Sequence, residues 1–400
     1  MRRPPSIDHA AAEPRTRPPQ AHPEVDLSLL WLALAGLAVL ALALASGAGA
    51  QPPAQERPAG AFASEVEVTE VLLDALVTDR DGNAILGLGP GDFRVTEDGH
   101  PVTIADLTFY SNRRYLDAAG AARLGIDPAS VPDRRYFILF FDDQRASSLQ
   151  VGGLLDRQMR AGLDARAWLE RGLEPGDLVA VASFDYKLKL HADFTADRAQ
   201  LSAAIDAAVR GADGRQDWPS RRGESADLPA LAAALPAGKA LRDATPRIYD
   251  ALRVLADAAA AIPGRKNLLL YSAGFGDLDR LGSQEFGRYT RDQRFYPPMA
   301  RALNGANVAV YGVDLTPLGV RNELQNSLND LAVDTGARLF FNLLSFTRPL
   351  EDVARETNGY YLLAYRSERP AGASGFQKVE VAAVNPEFRI TARRGYRYGG

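Results

Sequence analysis

The sequence predicts an α/β protein: a doubly wound, mainly parallel sheet flanked by N-terminal and C-terminal antiparallel β segments. Three observations lead there. Between residues 134 and 356, apolar runs of strand length at 136–141, 178–184, 267–272 and 307–313 alternate with helical stretches near 150–171, 196–209, 246–261, 285–304 and 322–335. Such alternation makes a parallel sheet covered on both faces. Residues 63–112 and 357–400 show instead the two-residue alternation of half-buried strands, broken by turn signals. Finally, 400 residues exceed what one core accommodates, since single cores stop growing near ~250–300 residues.

The chain begins with residues 1–50, expected to be a signal peptide or an N-terminal membrane anchor. Residues 27–45, "LSLLWLALAGLAVLALALA", hold no charge and would extend about 28 Å as a helix, close to the hydrocarbon thickness. Ala48 and Ala50 then form an A-x-A-like cleavage pattern ahead of a Pro/Ala linker at 51–62, which favours a cleaved secretory signal, with an uncleaved anchor as the alternative. Either way, residues from 51 onward are expected outside the cytoplasm, periplasmic or secreted, with membrane contact only through residues 27–45. Acids and bases nearly balance, 50 against 46, and residues 1–50 carry four of each, so their removal leaves the net charge at −4. Nucleic acid, which wants a basic face, is not an expected partner. The absence of cysteine excludes thiol catalysis, disulfides and cysteine-based zinc sites.

The first β segment, 63–112, carries Asp-Gly, Gly-Pro and Asp-Gly turns. A linker follows at 113–133, and then the α/β domain, 134–356. Within it "VASFDYKLKLHADF" reads as a hairpin that gives the sheet an antiparallel edge strand. Residues 211–240, rich in Gly, Pro, Arg and Asp, read as a long surface insertion. Residues 357–400 close the chain with three expected strands.

"YFILFFDDQRASS" at 136–148 ends a buried strand in paired acids, the way a parallel sheet delivers carboxylates to its binding edge. With "LVTDRDGNAILGLGPGDFRVTEDGHPV", "RYFILFFDD", "LHADFTADRAQLSAAI", "ATPRIYDAL", "GRKNLLLYSAGFGD" and the tail "YYLLAYRS…RRGYR" in this order, the chain resembles the von Willebrand factor A-related family described from acidobacterial genomes, over residues 65–398. The resemblance implies a Rossmann-like von Willebrand factor A-type domain and a metal-ion-dependent adhesion site. There, an Asp-x-Ser-x-Ser loop, a threonine and a third-loop aspartate hold a hard dication that a partner carboxylate completes.

Carried over, that pattern is degenerate. Asp142 stands at the leading aspartate, but Gln144 and Ala146 occupy the serine places. Starting from Asp143 instead returns only Ser147. Thr245 stands in the threonine loop, and the third loop reads Ser272-Ala273-Gly274, with Asp277 close behind. The resemblance therefore implies a weak or absent site for Mg²⁺ or another divalent cation, on Asp142, Asp143, Ser147 and Thr245. The same four residues with Ser272 and Asp277 form the expected partner-binding edge. The alternative for Asp142 and Asp143 is a turn in which they accept backbone N–H groups.

Other constellations have plainer explanations. Ser272 lacks the glycine of a nucleophile elbow, since Leu270 holds that place. Its only candidate bases after residue 50 are His100 and His191. "DRDGN" at 79–83 reads as a hairpin turn rather than a calcium loop, Tyr360, Tyr361 and Tyr365 as alternating strand residues, and Arg389, Arg393, Arg394 and Arg397 as a solvated face. The functional expectation is an exported, non-enzymatic, adhesion-like protein that binds an unidentified protein partner. The alternatives are an envelope structural or assembly factor with no surviving ligand site, and a serine hydrolase at Ser272.

Overall fold

The computed structural model describes residues 66–111, 134–144, 152–212, 228–279, 287–370 and 373–398. Residues 27–45, Ser147 and residues 213–227 of the 211–240 insertion lie outside them. The chain opens with β1 (Val66–Thr78), β2 (Phe93–Glu97), β3 (His100–Val102) and β4 (Ile104–Ser111). The turn after β1 is built on Asp79, whose carboxylate accepts from the backbone N–H groups of Asp81 and Asn83 at 2.9 and 2.8 Å. That is the hairpin-turn use of "DRDGN".

The α/β domain follows in the order β5 (Arg135–Asp142), α1 (Leu154–Gly172), β6 (Asp177–Phe184), β7 (Leu188–Thr195), α2 (Arg198–Val209), α3 (Gly238–Ala244), α4 (Ile248–Ala259) and β8 (Lys266–Ser272). It continues through β9 (Asp277–Asp279), β10 (Arg288–Thr290), α5 (Tyr296–Gly305), β11 (Val308–Asp314), α6 (Gln325–Asp334), β12 (Leu339–Phe340) and α7 (Thr347–Glu356). Its six-stranded sheet runs β12-β11-β8-β5-β6-β7. All neighbours are parallel except β6 and β7, which form the antiparallel edge hairpin. A strand buried on both faces reads as a continuous apolar run, and β5 shows why. Tyr136, Ile138 and Phe140 enter one core with α4 and α5, while Phe137, Leu139 and Phe141 enter the opposite core with α1, α2 and α7.

The helical stretch expected at 285–304 is shorter. Residues 288–290 pair with β9 as a strand, and the helix starts only at Tyr296. Pro297 and Pro298 explain the start, because proline fits the first helical turn, where no intrahelical N–H bond is lost.

The chain ends in β13 (Gly359–Pro370), β14 (Gly375–Ala383), β15 (Arg389–Ala392) and β16 (Gly395–Tyr398), four strands rather than three. They do not stand apart from β1–β4. One antiparallel sheet runs β15-β1-β13-β4 and the other β16-β14-β2-β3. Both close on a shared core that includes Leu73, Val95, Phe109, Tyr361, Tyr365, Val379 and Tyr396. The two β segments thus interleave into one sandwich, with the α/β domain inserted between them in sequence.

The sandwich meets the amino edge of the central sheet. Arg393 donates to the carbonyls of Asn304, at the end of α5, and Leu72, on β1. Arg393 therefore bridges two elements, which corrects its reading as part of a solvated face. Arg135, at the start of β5, binds Asp177 at 2.6 and 2.8 Å and the Ala354 carbonyl at 2.7 Å. Around this seam lie the buried Asp74, Arg265 and Lys266. Burial brings the Lys266 ammonium down to about 8 while its Nζ donates to the Ile262 carbonyl at 2.7 Å.

Candidate functional site

In an open α/β sheet the binding crevice lies at the carboxyl edge, where successive helices pass to opposite faces. Here that point falls between β5 and β8. α1, which follows β5, packs on one core, and α5, which follows β8, packs on the other. Ser272 at the end of β8 is the register partner of Asp314 at the end of β11. Phe141 pairs with Tyr271, which brings Asp142 level with Ser272 on the other side. Side chains alternate along a strand, so Asp142, Ser272 and Asp314 share one parity and form a row across three neighbouring strands.

The row is largely internally bonded. Ser272 Oγ donates to Asp142 Oδ2 at 2.5 Å and accepts from the Gly274 N–H at 2.9 Å. Asp314 accepts from the Thr316 N–H and from Gln325 Nε2, both at 2.8 Å. Burial pushes the Asp142 carboxyl up to about 6 against the lowering hydrogen bonds from Ser272 and Gln144, and the adjacent Asp143 raises it further. Burial likewise holds Asp314 above the ordinary carboxylate range.

The other expected residues separate. Asp143 is buried, donates its N–H to the Phe184 carbonyl at 2.9 Å and accepts from Gln158 of α1 at 3.2 Å. Gln158 also accepts from the Gln144 N–H at 2.7 Å and donates to the Val209 carbonyl at 2.8 Å. Asp143 is thus tied to α1. The Thr245 hydroxyl is fully buried, donating to the Leu241 carbonyl at 2.7 Å and accepting from the Leu188 N–H at 3.0 Å. It closes α3 and anchors the edge hairpin. Asp277 is exposed at the start of β9, and Ser147 lies outside the described residues.

A divalent cation needs several oxygens converging with free lone pairs. The Ser272 proton is directed at Asp142, both Thr245 bonds point elsewhere, and the Ala273 carbonyl accepts from Asn322. Among the described residues no three His, Asp or Glu side chains gather closely enough to hold an ion. The described donors do not fit such an ion.

Neither described histidine reaches Ser272. His191 Nε2 pairs with Ser183 Oγ at 2.8 Å, and burial, with Lys189 nearby, brings its imidazole down to about 4. His100 lies on β3 of the sandwich. Asp314, Gln158 and Asn322 were not anticipated from the sequence. Asp314 does end a recognisable apolar run, but its place in the row depends on strand order.

No family model and no curated protein matches the chain. Among solved structures it is similar to a serine-substituted aerotolerance-related membrane protein from Bacteroides fragilis, at 10% identity and TM-score 0.34, over 56% of this chain and 98% of that one. A second is the PilB minor pilin from Streptococcus sanguinis, at 12% identity and TM-score 0.33, over 56% of this chain and 62% of that one. A third is a von Willebrand factor type A protein from Catenulispora acidiphila, at 10% identity and TM-score 0.33, over 74% and 73%. Likenesses at this level say nothing of function, and the fold rests on the strand order and the antiparallel edge. The α/β domain has the doubly wound, mainly parallel order with one antiparallel edge that the resemblance to von Willebrand factor A-type domains implies.

Proposed function

We propose that the chain is an exported, non-enzymatic, adhesion-like protein of the von Willebrand factor A-related family, and that the carboxyl edge of its central sheet contacts a protein partner without a divalent ion. The observation that carries this reading is where the sandwich attaches. Its bridges through Arg393 and the Gly336–Ala392 approach lie at the amino edge, so among the described residues the terminal strands attach away from the carboxyl edge. Large apolar side chains are exposed on loops at that edge: Leu318 after β11, and Phe341 and Leu344 after β12, with Leu344 82% exposed. Arg157 of α1 holds these two loops together by donating to the Leu315 and Leu343 carbonyls at 2.9 and 3.0 Å. Exposed apolar groups on loops set upon a rigid scaffold suit protein contact.

Export rests on the apolar segment 27–45 and the alanines that follow it. Among the described residues no helix is long and apolar enough to cross a membrane. A photo-crosslinking residue placed at Leu344, and separately at the exposed Glu387 of the sandwich, tests the reading in native cells. A discrete adduct from position 344 supports it. An adduct from position 387 alone favours the assembly-factor alternative.

A further inference from the structure

A cleft of about 330 Å³ opens at the carboxyl edge between the first turn of α4 and the loop after β8, lined among others by Arg247, Tyr249, Gly276, Asp277, Arg294 and Phe295. Four features of it point to one ligand chemistry. The twelve-residue helix α4 begins here with Arg247 at its N-cap and no side chain capping it. Its first-turn N–H groups and the positive end of its dipole are therefore open to an anion.

The second feature is Tyr249. Its side chain is only 7% exposed, yet its hydroxyl has no hydrogen-bond partner. Gly276 of the cleft wall closes on that hydroxyl, and a Cβ there would stand 2.9 Å from it, at a φ of +111°. A buried unpaired hydroxyl is costly and calls for an acceptor. Burial and the carboxylates of Asp277 and Asp292 keep this phenol protonated, so it is a donor.

Third, the guanidinium groups of Arg247 and Arg294 flank the Phe295 ring, 4.2 and 5.2 Å from its centroid, with side chains 51% and 78% exposed. Each is already ion-paired on one side, Arg247 with Asp250 of the first helical turn at 3.3 Å and Arg294 with Asp292 at 3.5 Å, and a guanidinium carries five N–H donors, so further donors remain for a ligand. The fourth feature is the state of the acids. Asp292 is held within its own loop, accepting from the Arg294 N–H at 2.8 Å and pairing with the Arg294 guanidinium. The Asp277 and Asp292 carboxylates disfavour a doubly charged phosphate more than a singly charged carboxylate. A carboxylate also matches the planar fork of a guanidinium.

We propose that this cleft binds a carboxylate-bearing group of the partner, an acidic side chain or chain terminus, through Arg247, Arg294, the N-terminus of α4 and the Tyr249 hydroxyl, with no metal. The inference rests on the reading of the carboxyl edge as a contact surface.

The test is the melting temperature of the full chain in detergent micelles with EDTA. N-acetyl-aspartate and inorganic phosphate are titrated separately at matched ionic strength. The expected result is a saturable rise with N-acetyl-aspartate, unchanged in E387Q. Affinity should fall roughly tenfold or more in R247Q/R294Q and about fivefold in Y249F, the usual effect of losing charged and neutral hydrogen bonds. No saturable rise, a rise with phosphate alone, or an undiminished rise in R247Q/R294Q would overturn the proposal. The two readings fail separately: an adduct at position 344 that survives R247Q/R294Q, with no carboxylate effect, removes the cleft and keeps the contact surface.

Discussion

Asp142 shows what a partly buried carboxylate does to stability. Its pKa is raised to about 6 by burial, so between the ordinary aspartate value and 6 the folded state binds more protons than the unfolded one. The stability this group contributes is full at low pH and is lost as pH rises through 6. D142N should keep the Ser272 hydrogen bond while removing the charge. It should therefore be more stable than wild type at pH 7.5, by about 1–2 kcal/mol, with the gap closing as pH falls below 6, as urea titrations across pH would record. His191 acts with the opposite slope. Its pKa is lowered to about 4 by burial, so its contribution is present above the ordinary histidine value and is lost as pH falls toward 4. H191Q should flatten that acid limb, which the same titrations would show. Asp142 and Ser272 were both legible as strand-end residues of adjoining motifs. Their bond, and Asp314 beside them, were not, because register between strands far apart in sequence is a tertiary property.

At the scale of elements, β5 is the keystone of the sheet. Phe141 stacks on Tyr271 of β8 at 4.7 Å with a 10° interplanar angle, and Phe137 meets Trp168 of α1 edge-on at 5.5 Å. F141A removes a fully buried ring next to the Asp142 turn and should cost about 3–5 kcal/mol, measured as a lower urea midpoint at unchanged slope. The four long apolar runs were readable because strands covered on both faces need no alternation. β12 and α7 were not, since a two-residue strand carries no periodic signal and α7 follows it through an irregular, aromatic-rich loop. The Thr245 hydroxyl, expected to serve a metal loop, is spent closing α3 and holding Leu188.

At the scale of the molecule, one sandwich is assembled from both ends of the described chain, with Val66 pairing with Pro370. Alternation announced the strands, but nothing local in either segment names a partner some three hundred residues away. The sandwich and the α/β domain are joined through backbone-level contacts at the amino edge. Gly336, at a φ of +66°, approaches so closely that a Cβ would overlap the Ala392 carbonyl, and backbone on both sides cannot yield cheaply. G336A should destabilise the whole unit by about 2 kcal/mol or more. R393M, which removes the donors to Asn304 and Leu72 near the buried Asp74, should cost about 2–4 kcal/mol. Calorimetry of both variants would show the effect, and separation of one transition into two would locate it at the seam.

The central claim, a carboxyl edge that works without an ion, is tested most directly by thermal unfolding of the chain in excess EDTA and then in millimolar Mg²⁺, Mn²⁺ or Ca²⁺. An ion bound only to the native state at ~100 times its dissociation constant would stabilise by about 2.7 kcal/mol. The account predicts that the melting temperature does not move with any of the three ions. A rise that D142A abolishes would contradict it and make Asp142 the ligand of a working metal site.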